Sequence, residues 1–393
     1  MNTDRSVAAG VGASPAPTAT EWFAARWERL NGGTRIAGVD LARGLAVMGM
    51  FAAHLITMDP LLWTDPATWP AIVQGRSAIL FATLAGVSIG LVTGARTPWT
   101  GERMSTARLR LVARAFLLWV LGALLIATGA PILVILPAYA IMFLLAIPFT
   151  GLRARPLFAI AAGLALVTPL VGALVDTLPL WDGDAGEFLG LLIGWSYPFV
   201  SWITFVVAGL AVARAGLERK RVQVWLIVGG AALTLIAAVL DTVTGAEPDP
   251  ERPNLWEAVW TAGPHSGGLL EVVGSGGFAL AVLGVCLLLC RTFVRWIVLP
   301  LRAVGSMPLT AYAGQILVWA AVSTAVFGYP GRLFAFRDLG LFPAFAVGTI
   351  IACTVWALAV GRGPLEWTTD TVTRFMVPGG PSGRDVGADR LER

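Results

Sequence analysis

The sequence predicts an all-α protein, a polytopic transmembrane helical bundle of about ten spans. Three observations predict it. Hydrophobic residues make up 56% of the 393 residues and charged residues only 13%, a balance outside the range of soluble globular chains. Apolar stretches of about 20 residues, long enough to cross a bilayer core, recur along the chain. Positive charge alternates between the segments that join them. The ten stretches fall at roughly residues 37–58, 72–94, 109–129, 132–151, 156–177, 188–213, 222–243, 266–290, 303–327 and 341–361.

The orientation follows from arginine, because Lys220 is the sole lysine. Arg96, Arg103, Arg108 and Arg110 are assigned to one loop, and Arg153 and Arg155 come two loops later. Arg214, Arg219, Lys220 and Arg221 follow, then Arg291 and Arg295, then the tail with Arg362, Arg374, Arg384 and Arg390. Loops between these are poor in positive charge. Residues 178–187 carry Asp182, Asp184 and Glu187 with no arginine, and residues 244–262 set Glu247, Asp249, Glu251 and Glu257 against Arg252 alone. Ten spans with both termini in the cytoplasm satisfy the alternation, in a bacterial inner (plasma) membrane. The net charge of +4 is therefore a signal of membrane orientation, and no nucleic-acid partner is expected.

Three regions divide the chain. Residues 1–34 are expected to be a cytoplasmic N-terminus, disordered over a Pro- and Ala-rich start without the apolar core of a signal peptide. Within it, Trp22, Phe23 and Trp27 stand among charges, as in a short helix lying at the interface. Residues 35–375 form the transmembrane domain, and residues 376–393 a Gly- and Pro-rich disordered tail. Gly86, Gly90 and Gly94 recur every fourth residue, a spacing for close helix packing more than for a dimer seam, although a homodimer stays open. Pro137, Pro198 and Pro308 break helices inside or near the spans, and broken membrane helices border cavities. Cys286, Cys290 and Cys353 all fall in spans and read as packing residues. No metal is expected: two histidines and a glutamate lack ligand spacing.

Chemistry is sought where ionisable groups sit in apolar surroundings, because a bilayer tolerates them mainly where they pair or work. The first span carries Asp40 and Arg43, three apart and able to pair on one helix face. His54 follows eleven residues later, within about 20° of the same face and about 16 Å further along. The other histidine stands in Gly263-Pro264-His265-Ser266-Gly267-Gly268 at the outer start of the eighth span, ahead of Glu271. His54, His265, Arg76, Glu257 and Glu271 are all placed in the outer third. An imidazole is a natural base at neutral pH, and Arg76 suits a developing oxyanion or an anionic substrate group. Thr310, Tyr312 and Gln315 are neutral polar groups able to line a tunnel. Catalytic candidates are thus His54, His265 and Asp40; candidates for holding a co-substrate are Arg43, Arg76, Tyr312 and Gln315. No phosphate-binding loop, nucleophile elbow or dinucleotide fingerprint is present.

Residues 35–47, opening Arg35-Ile36-Ala37-Gly38-Val39-Asp40-Leu41-Ala42-Arg43-Gly44, resemble the start of the heparan-α-glucosaminide N-acetyltransferase superfamily. Residues 75–86, 302–312 and 363–367 resemble its bacterial YeiB-like branch, so the likeness covers roughly residues 35–375. The resemblance implies a membrane acyltransferase that uses cytosolic acetyl-CoA, or another acyl-CoA, and acylates an amine or hydroxyl on a sugar or lipid at the far side of the membrane. It also implies a catalytic histidine in the loop after the first core helix. Residues 58–70 hold none; His54, inside the helix, is nearest, and His265 is the other substitute. Two further readings stand beside transfer: a transporter or exporter with Asp40, Arg43 and the histidines as a relay, and a non-catalytic membrane scaffold.

Overall fold

The computed structural model describes residues 18–33, 35–62, 64–246 and 254–379; most of the expected disordered ends, and Glu247, Asp249, Glu251 and Arg252, lie outside them. The described residues form helices and no strand. In order they are α1 (Ala19–Asn31), α2 (Ala37–Leu55), α3 (Arg76–Val92), α4 (Gly101–Ile126), α5 (Leu136–Ala146), α6 (Ala154–Asp176), α7 (Gly183–Ile193), α8 (Phe199–Ala215) and α9 (Lys220–Thr244). There follow α10 (Leu255–Trp260), α11 (Leu269–Leu289), α12 (Val294–Ile297), α13 (Leu299–Ser306), α14 (Pro308–Phe327), α15 (Leu333–Asp338), α16 (Phe342–Ala359) and α17 (Pro364–Met376).

Among the described residues, seven helices are long and apolar enough to span a membrane: Pro66–Val92 (α3 with the 3-10 turn before it), α4, α6, α9, α11, α14 and α16. Leu136–Gly151 and Phe199–Ala215 are shorter apolar helices. α2 is the tenth, its hydropathy diluted by Asp40, Arg43 and His54. Each expected stretch thus holds one apolar helix, with three differences. α4 starts at Gly101, so Arg103, Arg108 and Arg110 lie on its first turns and not in a loop. The stretch 188–213 is two helices, α7 ending at the left-handed Gly194 (φ 71°) and α8 capped by Pro198. The stretch 303–327 breaks at Met307, which leaves the helical region (φ −140°, ψ 55°) because Pro308 follows it.

Close backbone approach builds the core around α2. A Cβ on Gly44 would strike the Leu301 carbonyl, and one on Gly305 the Asp40 carbonyl, so α2 and α13 cross with backbones in contact. Gly86 meets the Val206 backbone and Gly209 the Thr83 carbonyl at the α3–α8 crossing, which accounts for the small-residue spacing as packing within the bundle. Glu366 on α17 caps α14: its carboxylate accepts from the Leu309 and Thr310 amides (2.7 and 3.1 Å) and from Thr310 Oγ1 (2.5 Å). α1 begins with a Thr18–Glu21 capping box. It docks through Trp27, stacked on Trp296 at 5.6 Å, and through the Leu30 carbonyl, which accepts from Arg302 Nη2 at 3.0 Å. The cysteines are free and buried.

Candidate active site

α2 carries a different chemistry at each end. Near its N-terminus the Asp40 carboxylate accepts from Arg35 Nε and Nη2, both at 2.8 Å, and from Arg43 Nη1 at 3.3 Å. A carboxylate on the first turn also suits the positive end of the helix dipole. Arg43 Nη2 donates to Ser88 Oγ on α3 at 2.7 Å. The pair opens onto a cleft of about 340 Å³. Arg103, Arg110 and Arg114, which share one face of α4, line it with Arg35, Arg43, Arg374 and Trp99. Against these six guanidinium groups stand two lining carboxylates, Asp40 and Asp370. Asp370 is taken up by Arg362 (2.7 Å), Arg374 (3.0 Å) and Arg114 (3.6 Å). Excess positive charge with an aromatic wall is an arrangement for phosphate and a planar base.

At the C-terminal end of α2 both histidines line one cavity of about 280 Å³, with Gln74, Ser77, Tyr197 and Arg337. His54 Nδ1 lies 3.3 Å from Gln315 Oε1 on α14. If Nδ1–H donates to that oxygen, Nε2 carries the lone pair of a base. Arg337 on α15 donates through Nε to the His54 carbonyl (2.8 Å) and through Nη2 to the Ala53 carbonyl (3.0 Å). A cation there satisfies the last carbonyls of α2 and meets the negative end of its dipole.

His265 comes from the loop before α11. Its backbone is left-handed (φ 63°), and its ring stacks on Trp202 (5.5 Å, 24°) and meets Tyr197 edge-on (5.0 Å, 87°). Burial pushes its imidazole pKa down to about 4, so the ring is neutral. Glu271, in the first turn of α11, holds this loop. Its Oε1 accepts from the His265 amide at 2.6 Å and its Oε2 from the Gly267 amide at 2.7 Å. The carboxylate thereby offsets the cost of the left-handed residue.

The structure therefore brings His54, His265 and Gln315 together and sets Asp40 and Arg43 apart from them. From Asp40 to His54 is fourteen residues of helix, about 21 Å, so Asp40 is out of reach of either imidazole and its oxygens are taken by arginines. Arg76 does not share the histidine cavity: its guanidinium lies 5.9 Å from the Phe278 ring and lines neither cavity. One residue of helix turns it about 100° from Ser77, which does line it. Tyr312 lines neither cavity either; its hydroxyl accepts from the Ile135 amide at 3.2 Å and fixes the segment entering α5. Gln315 sits at the histidine end, not with the arginines. Glu257, on α10, lies off the cavity. Arg337 escaped the sequence reading. Its signal was there: Arg332 and Arg337 are positive charges in a loop that the charge alternation assigns to the outside.

Together the fold and these two sites define a multi-pass membrane protein with an arginine-lined cleft and a histidine-lined cavity at opposite ends of one buried helix. Residues 35–240, just over half of the chain, match the family model described as heparan-alpha-glucosaminide N-acetyltransferase, catalytic. The chain belongs to that family of membrane N-acetyltransferase-like proteins. Residues 212–375 match a second model, a protein of unknown function (DUF418). No curated protein matches the chain. Both cavities draw on both matched segments. Arg43 and Arg114 face Arg374 across one, and His54 and Tyr197 face His265 and Arg337 across the other.

Proposed function

We propose that this protein transfers an acyl group, acetyl in the simplest case, from cytosolic acyl-CoA to an amine or hydroxyl of a sugar or envelope molecule outside the cytoplasm. In this reading it sits in a bacterial inner membrane with both termini inside. The observation that carries it is the pairing of the two cavities along α2: an arginine cleft suited to the phosphates of coenzyme A at one end, both histidines of the chain at the other. The roughly 16 Å of helix between Arg43 and His54 is comparable with the reach of an extended pantetheine arm.

The chemistry follows from the residues present. Guanidinium groups of the cleft hold the nucleotide phosphates. His54 Nε2, in the tautomer set by Gln315, takes the proton of the acceptor as its heteroatom attacks the thioester carbonyl. The carbon–sulfur bond breaks, and the imidazolium returns that proton to the departing thiolate, giving free coenzyme A. His265, neutral and in the same cavity, is the second base within reach.

The test is calorimetry of acetyl-CoA on the purified, folded protein, beside free coenzyme A and an unrelated nucleotide. Saturable binding that distinguishes acetyl-CoA from the unrelated nucleotide is expected. Absence of binding to acetyl-CoA and to longer acyl-CoAs removes the reading and returns the protein to the transport hypothesis.

A further inference from the structure

Acyl transfer passes through a tetrahedral state in which the thioester carbonyl oxygen carries negative charge. The acyl transfer proposed above, on which this inference rests, gives that charge no partner. A donor for it has to line the histidine cavity, be free to bond, and hold its place while the charge develops. Among the described residues of the lining, Arg337 is the one charged side chain. Its neutral neighbours are less suited. The Tyr197 hydroxyl donates to the Leu133 carbonyl at 2.9 Å, and the Gln74 amide and Ser77 hydroxyl bring no charge. A hydrogen bond from a charged donor is stronger than one between neutral groups.

The Arg337 guanidinium is committed along one edge only. Nε and Nη2 donate to the His54 and Ala53 carbonyls (2.8 and 3.0 Å), which ties the group to the residue that bears the base. Nη1 has no protein partner among the described residues, and it is not one of the polar atoms sealed from solvent. A planar fork held along one edge aims its remaining N–H groups in a fixed direction. The helix that carries it is anchored too. Phe336, fully buried, stacks on Trp319 of α14 at 4.0 Å and meets Phe345 of α16 edge-on. α14 also supplies Gln315, the partner of His54. Base and cation are thus held by the same pair of packed helices, so the donor is in place before the charge forms.

We infer that Arg337 is a catalytic residue whose Nη1 receives the oxyanion. The lone pair of the nucleophile bonds to the thioester carbon, the carbonyl π electrons move onto oxygen, and the proton of the nucleophile passes to His54 Nε2. The oxyanion then re-forms the carbonyl, the carbon–sulfur bond breaks, and the imidazolium proton goes to the coenzyme A thiolate. An amine and water pass through the same oxyanion, so this role does not depend on the identity of the acceptor. The same charge, with no facing carboxylate among the described lining residues, also favours a free amine over its ammonium ion, and the free amine is the form that attacks.

The experiment follows thiol release from acetyl-CoA by the full-length protein in detergent, with glucosamine, hydroxylamine or water as the nucleophile and a protein-free background subtracted. In Arg337→Gln kcat is expected to fall on the order of 10²–10³-fold, the cost of removing an oxyanion donor, with KM for acetyl-CoA unchanged. Arg337→Lys, which restores the charge, recovers part of the rate. The cap that Arg337 makes on α2 is separated from this role by repeating the substitution in His54→Ala. Hydroxylamine attacks thioesters without a base, so Arg337→Gln should lower its rate in that background as well. An effect of Arg337→Gln that vanishes in His54→Ala means that Arg337 only positions the base, and it overturns the inference. So does a kcat in Arg337→Gln equal to that of the wild type, or a His54→Ala protein with no hydroxylamine rate above background. Each of these leaves acyl transfer standing. No thioester cleavage by the wild-type protein with any of the three nucleophiles overturns both.

Discussion

The two ends of α2 treat polar groups in opposite ways. At the arginine end the carboxylates are shared among guanidinium groups, while Thr373 Oγ1 in the cleft lining is without a partner. Asp40 is held by Arg35 and Arg43, Arg43 also donates to Ser88, and Asp370 gathers three further arginines. At the histidine end there is no carboxylate among the described residues of the lining, Gln315 Nε2 and His265 Nδ1 are buried without a partner, and Arg337 donates only to backbone carbonyls. Buried polar groups are normally satisfied. The contrast therefore separates a region whose internal pairs hold the fold while presenting surplus charge from a region with fewer internal pairs around its two histidines. Substitutions at the two ends should fail in different ways.

The largest separation is expected from His54→Ala. Loss of a general base costs on the order of 10²–10⁴ in kcat, with acetyl-CoA affinity by calorimetry unchanged because the cleft lies at the far end of the helix. Undiminished turnover in this variant moves the base to His265. Asp40→Ala should show the converse. It leaves two guanidinium groups without their shared buried partner, a change that costs about 3–5 kcal/mol in comparable buried pairs. The thermal midpoint in detergent falls, while the fraction that remains folded keeps its turnover. A variant with a wild-type midpoint and no activity would place Asp40 in the chemistry and dissolve the contrast.

The contrast also explains what the sequence disclosed. Span positions were legible because apolar length and arginine alternation are one-dimensional signals, and the Asp40–Arg43 pair because i,i+3 spacing on a helix fixes proximity. Pro198 and Pro308 marked their helix breaks for the same local reason. The partners of His54 were not legible. Gln315 and Arg337 lie 261 and 283 residues away and come from elements whose approach depends on the Gly44–Gly305 crossing and on a short helix between spans. Depth in the membrane alone places Arg76 with the histidines, and depth does not say which cavity a side chain lines. The residues 363–367 and 302–312 drew notice as motifs, yet in the structure Glu366 and Thr310 cap a helix and Arg302 ties down α1. A recognisable segment can mark the scaffold rather than the reaction.

A smaller effect sharpens the arginine end. Arg110 lines the cleft, and its guanidinium also donates to the carbonyls of Val377 and Gly379 just beyond α17. Arg110→Gln is expected to weaken acetyl-CoA binding about tenfold, the worth of one charged contact to phosphate, and to flatten the dependence of affinity on salt. Turnover at saturating acyl-CoA should not move. A fall in kcat without a change in affinity would mean that Arg110 acts through α17 and not on the phosphates.

A last effect is a pH dependence that belongs to the histidine end. His265 is held with its pKa lowered to about 4, against about 6.5 in an unfolded chain. As the pH falls below 6.5 the unfolded state binds a proton that the folded state refuses, so stability is lost through the window from 6.5 down to about 4. His265→Asn removes that proton and keeps a side chain that tolerates the left-handed backbone at this position. The thermal midpoint of the wild-type protein should therefore drop further between pH 7.5 and pH 5 than that of the variant, by the equivalent of about 1.4 kcal/mol for each pH unit below 6.5. All other titrating groups are common to both proteins and cancel in the difference. Equal drops would mean that the folded protein accepts a proton at His265 as readily as water does. The ring packed between Trp202 and Tyr197 would then be solvated, and the histidine cavity would be wetter and less selective than its apolar walls imply.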